Sequence, residues 1–367
     1  MTFIRGTVVQ VAGHAGSNPF AYEIDPLNDI RWTHLVEKHP LACAFHTHGW
    51  LRALKLTYGY EPFALTTAQP GEALRNGIVL CRIRSWLTGS RIVSLPFSDH
   101  CTPLVDDAVT LGRLLDRVKQ YKDDSSLRYI EIRPLPDTVL PTDSMLGFVE
   151  SSSYCFHSLD LRENLQHLFH QFHKSCVQRK LSRAKREELT IEEGHSERIL
   201  RMFHALMLLT RRRHELPPQP FSWFRNLANF MGDKLLIRVA LKNKLPIASI
   251  LTISHNRNVI YKYGCSDAAY HSLGGMPLLF WDAIQHAKQT GAEQFDFGRS
   301  EIENEGLIAF KSHWGASVSR LTYYRYPPAA TVVGEGLSRM TTARKVLSML
   351  PNHLLSVAGT LLYRHMG

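Results

Sequence analysis

The stretch from residue 261 to residue 320, YKYGCSDAAYHSLGGMPLLFWDAIQHAKQTGAEQFDFGRSEIENEGLIAFKSHWGASVSR, constrains the fold more than any other part of the chain. Residues 259–263 are β-branched and aromatic, which predicts a strand, and Gly264 breaks it. Gly274 and Gly275 then open a helix with Pro277 in its first turn, where a missing N–H costs nothing. Leu278, Leu279, Trp281, Ala283, Ile284 and Ala287 give that helix a wide apolar face, and Gly291 ends it. Residues 294–297 read as a short strand that runs out at Gly298, Arg299 and Ser300. On this reading Asp296, Arg299 and Ser300 sit at or just past a strand end. A strand, a glycine-bearing loop and a helix N-terminus together hold anions well, because free N–H groups and the helix dipole both favour negative charge. A pyrophosphate, a carboxylate or a developing oxyanion fits there. The plainer reading is that Gly274 and Gly275 let the helix pack closely on its sheet.

The rest of the chain repeats this grammar. Helices are expected over 32–39, 45–56 and 108–121, and strands over 63–67, 78–84, 91–95 and 129–132. Residues 161–188 show one long helical pattern, with Leu161, Leu165, Leu168, Phe172 and Cys176 on an apolar line. Its second half is basic, and Arg179, Arg183 and Arg186 share a face that reads either as solvated or as phosphate-contacting. Two helices within 196–231, strands over 235–241 and 247–253, and a last strand over 322–326 complete the pattern. Each half therefore runs helix, three strands, helix, strand, with Glu131 falling roughly where Asp296 does. This order resembles the acetyltransferase (GNAT) unit. The expected fold is α/β (α+β): two tandem GNAT-like domains, each a mixed twisted sheet flanked by helices. Their expected bounds are 1–155 and 156–328, followed by a basic amphipathic tail over 329–367.

A chain of 367 residues suffices for two domains of ordinary size, and its net charge of +10 favours anionic partners. The six cysteines are scattered with no C-x-x-C pair, which predicts reduced thiols rather than a disulfide framework or a zinc site. His46-x-His48 has no third ligand near it in sequence, so no metal site is expected. No signal peptide or membrane-spanning run is visible, which predicts a cytoplasmic protein. The tail, with Arg344, Lys345, Arg364 and His365 among its leucines, suits either an anionic membrane surface at the inner face or docking on the body.

The segments FHTHGWLRAL, IVSLPFSDH and CTPLV in the first half, and YKYGCSDAAYHSLGGMPLLFWDAIQHAKQTG, FDFGRS and GLIAFKSHWGA in the second, resemble the FemAB-like family. These are the Fem-type peptidoglycan-bridge aminoacyltransferases and the related tandem-GNAT proteins of cell-envelope and exopolysaccharide loci. The ending LPNHLLSVAGTLLYRHMG is similar to the exopolysaccharide-associated branch. The resemblance implies transfer of an acyl or aminoacyl group to an amine of a lipid- or nucleotide-linked precursor. It implies acyl-CoA or aminoacyl-tRNA as donor, so tRNA is a candidate partner, and no tightly bound cofactor. The family's Phe-Lys pair falls on Phe310 and Lys311; its phosphate-holding basic residues fall on Lys55, Arg179 and Arg183. The segment 161–188 is too short for the coiled-coil arm of some bridge-forming enzymes.

Amide formation needs a neutral amine, two reactants held together and a stabilised oxyanion. Lys311, beside Trp314, is the candidate oxyanion stabiliser; Asp296 or Tyr263 is the candidate proton acceptor. Arg299 is placed to orient a carboxylate or phosphate, with Ser300, Gly274, Gly275 and Phe310 completing the candidate binding set. Neither a covalent intermediate nor a metal is expected. Two alternatives stay open: an acyl-CoA-dependent enzyme acting on another amine, and a non-catalytic module binding RNA or an anionic membrane.

Overall fold

The computed structural model describes residues 21–123, 126–136, 138, 147–328 and 352–367. Its first half contains β1 (Tyr22–Ile24), α1 (Ile30–Lys38), α2 (His48–Tyr58), β2 (Glu61–Thr66), β3 (Ile78–Ile83), β4 (Arg91–Val93), α3 (Ala108–Asp123), β5 (Tyr129–Ile132) and β6 (Val149–Asp160). The second contains α4 (Leu165–Gln171), α5 (Arg179–Arg186), β7 (Thr190–Gly194), α6 (Glu197–Arg213), α7 (Phe221–Met231), β8 (Leu235–Lys242), β9 (Leu245–His255) and β10 (Asn258–Ser266). It continues through α8 (Gly275–Gln289), β11 (Gln294–Glu301), α9 (Glu305–Ser312) and β12 (Ser317–Tyr326), and α10 (Asn352–Met366) follows.

Period-two alternation gives the strands two apolar faces. Phe63, Leu65, Ile78, Leu80 and Ile92 pack with α3 on one face, whereas Ala64, Val79, Cys81 and Val93 point to the other. In the second half α8 lays Leu279, Phe280, Ala283, Ile284 and Ala287 over Ala248, Ile250, Phe295 and Phe297. A third core is shared between the halves. It joins Trp32, Trp50 and Leu54 of α1 and α2 to Phe203, Trp223, Phe224 and Leu227 of α6 and α7. At its centre Gly49 allows α2 to meet α7, since a Cβ there would lie 2.5 Å from the Phe230 carbonyl oxygen.

The repeat is visible in the register. β4 runs parallel to β5, with Val93 opposite Glu131, and β10 runs parallel to β11, with Ile260 opposite Asp296. Glu131 and Asp296 thus occupy equivalent positions, each at the third residue pair of its ladder. The described strands form one sheet in the order β1-β2-β3-β4-β5-β12-β6-β11-β10-β9-β8-β7. The two halves exchange their last strands. β6 of the first half pairs with β11, β12 of the second half pairs with β5, and the two exchanged strands pair with each other.

Several sequence expectations are corrected here. The division expected at residue 155 falls inside β6, which the sequence did not announce. Ser151, Ser152 and Ser153 make β6 look like a loop, but pairing to β12 there, and to β11 further along, supplies its hydrogen bonds. The short edge strands β1 and β7 were likewise unexpected. β11 continues to Glu301, so Asp296, Arg299 and Ser300 lie within a strand rather than past its end. The long helix expected over 161–188 is broken after Gln171. His173 turns extended and caps a π turn, Lys174–Gln178, before α5 begins. Of the tail, residues 329–351, including the helix expected over 343–350, lie outside the described residues. α10 docks on the first half: Tyr60 Oη donates to the Tyr363 carbonyl (2.9 Å), and Arg91 Nη2 donates to the His365 carbonyl (2.9 Å). No described helix is long and apolar enough to cross a membrane.

Candidate active site

β10 and β11 are paired only through residues 258–260 and 294–296. Beyond that point β10 stays with β9 and β11 stays with β6, each through a bulge, at 261/263 and 296/298. A bulge re-aims a strand and raises its twist, so the two strands part. The parting is filled from the first half by the segment after β4, where Leu95 and Phe97 have φ of 73° and 61°. That segment brings Asp99 and His100 to the second half.

Asp99 is the centre of the cluster. Lys262 Nζ donates to its Oδ2 at 3.0 Å, Arg299 Nε lies 3.9 Å from its Oδ1, and Tyr323 Oη donates to its backbone carbonyl at 2.5 Å. Gly298 (φ +70°) makes room for it: a Cβ there would stand 2.9 Å from Asp99 Oδ2. Burial alone would raise the Asp99 pKa, but Lys262 and Arg299 hold it below the ordinary carboxylate value. Arg299 lies over the Tyr154 ring, 3.9 Å from its centroid, which fixes the plane of the guanidinium.

Lys311 ends its reach at the same strand. Its Nζ donates to the carbonyls of Gly298 (3.0 Å) and Arg299 (2.8 Å), and its side chain is buried. An ammonium has three N–H bonds, so one remains after these two. Burial lowers its pKa to about 8; Asp99 and Asp296 oppose the shift, and Lys262 and Arg299 add to it.

The preceding residue, Phe310, points elsewhere. It lines a cavity of about 320 Å³ together with Tyr261, Gly264, Gly275 and Met276. This cavity reaches the first turn of α8, whose N-cap Gly274 provides no side-chain cap. The glycine pair has a packing role as well. A Cβ on Gly274 would stand 2.4 Å from the Lys180 carbonyl oxygen of α5, and one on Gly275 would stand 3.2 Å from Ala248 Cβ. So α5 lies against the loop, and the open part of the anion holder begins at Gly275.

The remaining candidates are placed as follows. Asp296 is buried with both oxygens engaged, by His100 Nε2 (2.8 Å) and by the Gly298 N–H (2.5 Å). It does not pair with Arg299. Tyr263 Oη accepts from Trp223 Nε1 (2.9 Å) inside the shared core, and burial raises its pKa. This makes it a poor proton acceptor for the parting. Trp314 is buried among Phe172, Phe280 and Phe297 and acts as core. Ser300 is buried, and its hydroxyl has no partner among the described residues. Lys55, Arg179 and Arg183 are exposed on α2 and α5, and Arg183 pairs with Glu187.

Sequence reasoning singled out neither Asp99, His100 nor Lys262. The only signal was the Asp-His pair in the loop that follows β4, and a loop aspartate ordinarily reads as a turn residue. Among the described residues one group has metal-ligand composition: single ligand atoms of His173, Cys176 and His313 lie within 4.8 Å of one another. However, His173 Nδ1 accepts the Cys176 N–H at 3.1 Å, so its lone pair is committed to capping the π turn.

Residues 175–312 match the profile of a family described as acetyltransferase (GNAT) domain, less than half of the chain. No curated protein matches the sequence. Among solved structures the chain is similar to FemX, with a TM-score of 0.65 at 17% identity, covering 81% of this chain and 95% of that one. It is similar to the C-terminal domain of a putative lysylphosphatidylglycerol synthetase from Agrobacterium fabrum (TM-score 0.56, 14% identity, 87% and 94% covered). A tandem GNAT protein from the clavulanic acid biosynthesis pathway is a third (TM-score 0.51, 11% identity, 83% and 97% covered). Identities this low speak for the fold. This chain has the mixed α/β fold of tandem GNAT proteins, and residues 175–312 of its second half match the GNAT domain profile.

Proposed function

We propose that the chain is an N-acyltransferase or aminoacyltransferase that moves an activated acyl group onto an amine of a cell-envelope precursor, peptidoglycan or exopolysaccharide. One observation carries the reading: Asp99 of the first half meets Lys262 and Arg299 of the second where β10 and β11 part, and Lys311 binds the Gly298 and Arg299 carbonyls of the same strand. Buried and half-buried charges gathered in this way are costly to fold and add little stability, which favours a functional reason for them.

The chemistry follows from the geometry. The acceptor ammonium is held in the parting by the Asp99 carboxylate, which stays ionised beside Lys262 and Arg299, and loses its first proton to solvent. The neutral nitrogen attacks the carbonyl of an ester or thioester, and the C–O or C–S bond to the carrier breaks as the amide forms. The Lys311 N–H left free by Gly298 and Arg299 points its charge at the tetrahedral oxyanion. As the amide forms, the attacking nitrogen loses its second proton, which the departing alkoxide or thiolate takes up. Arg299, Lys262 and the exposed Lys55, Arg179 and Arg183 suit phosphates of a lipid- or nucleotide-linked acceptor. His100 and Asp296 hold the Asp99 segment in register. The donor is aminoacyl-tRNA or acyl-CoA. The uncapped first turn of α8 beside the Phe310 cavity favours the second, since its N–H groups suit a pyrophosphate.

Purified protein would be assayed for acyl transfer from acetyl-CoA, a longer acyl-CoA and aminoacyl-tRNA to nucleotide- and lipid-linked amino sugars and muropeptides. Lys311→Met and Asp99→Asn are expected to lower kcat by about 100-fold or more with the fold intact by circular dichroism. Wild-type kcat should fall as pH rises through about 8, as Lys311 loses its charge. Turnover unaffected by both substitutions, or absent with every donor, would sink the proposal.

A further inference from the structure

The connection between β3 and β4 ends in an exposed apolar tip. Trp86 is 87% exposed and Leu87 is 52% exposed. Four of the other tryptophans are fully buried, and Trp281 is half-buried. The tip is not a loose loop. Ser85 Oγ bonds His365 Nδ1 (2.9 Å), Thr88 Oγ1 donates to the His365 carbonyl (2.8 Å), and the Trp86 and His365 rings are 5.4 Å apart. The tip is thereby fixed to α10.

α10 continues the apolar surface. Leu361 lies one turn before His365, on the same helix face, and is 66% exposed; Met366 is 48% exposed. Large apolar side chains from two elements therefore stand outward together. Scattered single exposures are ordinary, but a joined group rimmed by polar residues marks a binding surface.

The rim is cationic. Arg364 reaches the end of α2, where its Nη2 would lie 3.8 Å from a Cβ on Gly59. One turn back on α2, Lys55 and Leu56 are exposed. Arg84 flanks the tip, and Arg128 packs over Gly89 and donates to the Thr88 carbonyl (2.9 Å). One acid, Glu61, stands opposite Arg84 at 3.3 Å.

We propose that this surface docks the protein on an anionic lipid leaflet. Trp86, Leu87, Leu361 and Met366 enter the boundary between headgroups and acyl chains. Arg84, Arg128, Arg364 and Lys55 meet the lipid phosphates. An indole is suited to that boundary, having an apolar body and one N–H donor. A ring of cations around apolar side chains complements a negatively charged leaflet, and either alone binds weakly. The docking does not depend on the acyl-transfer reading and is tested without any substrate.

Full-length protein is mixed with phosphatidylcholine vesicles with or without phosphatidylglycerol. Co-sedimentation and acrylamide quenching of tryptophan emission are read in parallel. Trp86 is the most exposed tryptophan, so it dominates the quenching. Retention on phosphatidylglycerol vesicles with Trp86 shielded is expected, and added salt should weaken it. Trp86→Ala with Leu361→Ser should weaken retention by about tenfold or more. Arg364→Glu should weaken it by roughly another tenfold through charge reversal. These side chains are solvent-exposed, so the melting temperature should stay put. No retention, equal retention on phosphatidylcholine alone, or retention indifferent to the substitutions would overturn the proposal. So would patch-dependent dimerisation in vesicle-free solution, which would make a second copy the occupant.

Discussion

Asp296 shows how one residue type takes its role from its neighbours. The sequence places it on a short aromatic strand, and the register pairs it in position with Glu131 of the first half. Glu131 is neutralised by Arg133 (2.8 Å) and Arg325 (2.7 Å), whereas Asp296 is neutralised by His100. Burial alone would lower the His100 pKa, but its bond to Asp296, with help from Cys43, raises it to about 10. A histidine raised from 6.5 gives stability that is complete below pH 6.5 and lost as pH climbs through about 10. Urea denaturation across that window should therefore show a falling midpoint in the wild type. Asp296→Asn should remove most of the slope and cost about 3–5 kcal/mol near neutrality, because His100 is left buried without its counter-charge. A midpoint equally pH-dependent in the variant would show that the pair is not the titrating unit. At this scale the sequence disclosed residue types, and Phe310 and Lys311 stood out only through the family resemblance. The sequence hid Asp99, whose importance depends on partners 163 residues away in the chain.

At the scale of elements, periodicity carried most of the information. The apolar stripe of α8, the alternation of β8 to β10 and the two helices α6 and α7 were legible because each buries one face against a neighbour. β6 was not legible, because its serines are tolerated only between two partner strands. The break before α5 was also hidden, since the apolar line runs on through Phe172 while the backbone does not. The Gly274–Gly275 pair served both readings at once: a close approach of α5 and an open first turn for α8. Gly274→Ala is expected to cost about 1–3 kcal/mol, from the left-handed backbone (φ +85°) and the overlap with the Lys180 carbonyl. Chemical denaturation measures it. A loss below a few tenths would mean that α5 shifts freely and does not define the loop.

At the scale of the whole molecule, the exchange of β6 and β12 makes the halves interdependent. A fragment starting at residue 161 lacks β6 and leaves β11 and β12 without a neighbour along most of their length. Such edges expose unpaired backbone groups and invite aggregation. Residues 161–328 alone should therefore lack cooperative unfolding, and co-expression with residues 1–160 should restore a soluble complex. A well-folded isolated second half would show that the exchange is dispensable. The same exchange holds the segment after β4 against the parting of β10 and β11, so the site requires both halves.

The sequence by itself determined the repeat and the two cores under α3 and α8, because these rest on local period and on residues near one another in the chain. The tertiary structure alone decided that the last strands cross over, that Asp99 rather than Asp296 faces Lys262 and Arg299, and that α10 sets His365 against Trp86. Each of these depends on which distant segments share a boundary. Hydrogen-bond pairing and the neutralisation of buried charge settle that only once the whole chain has closed on itself.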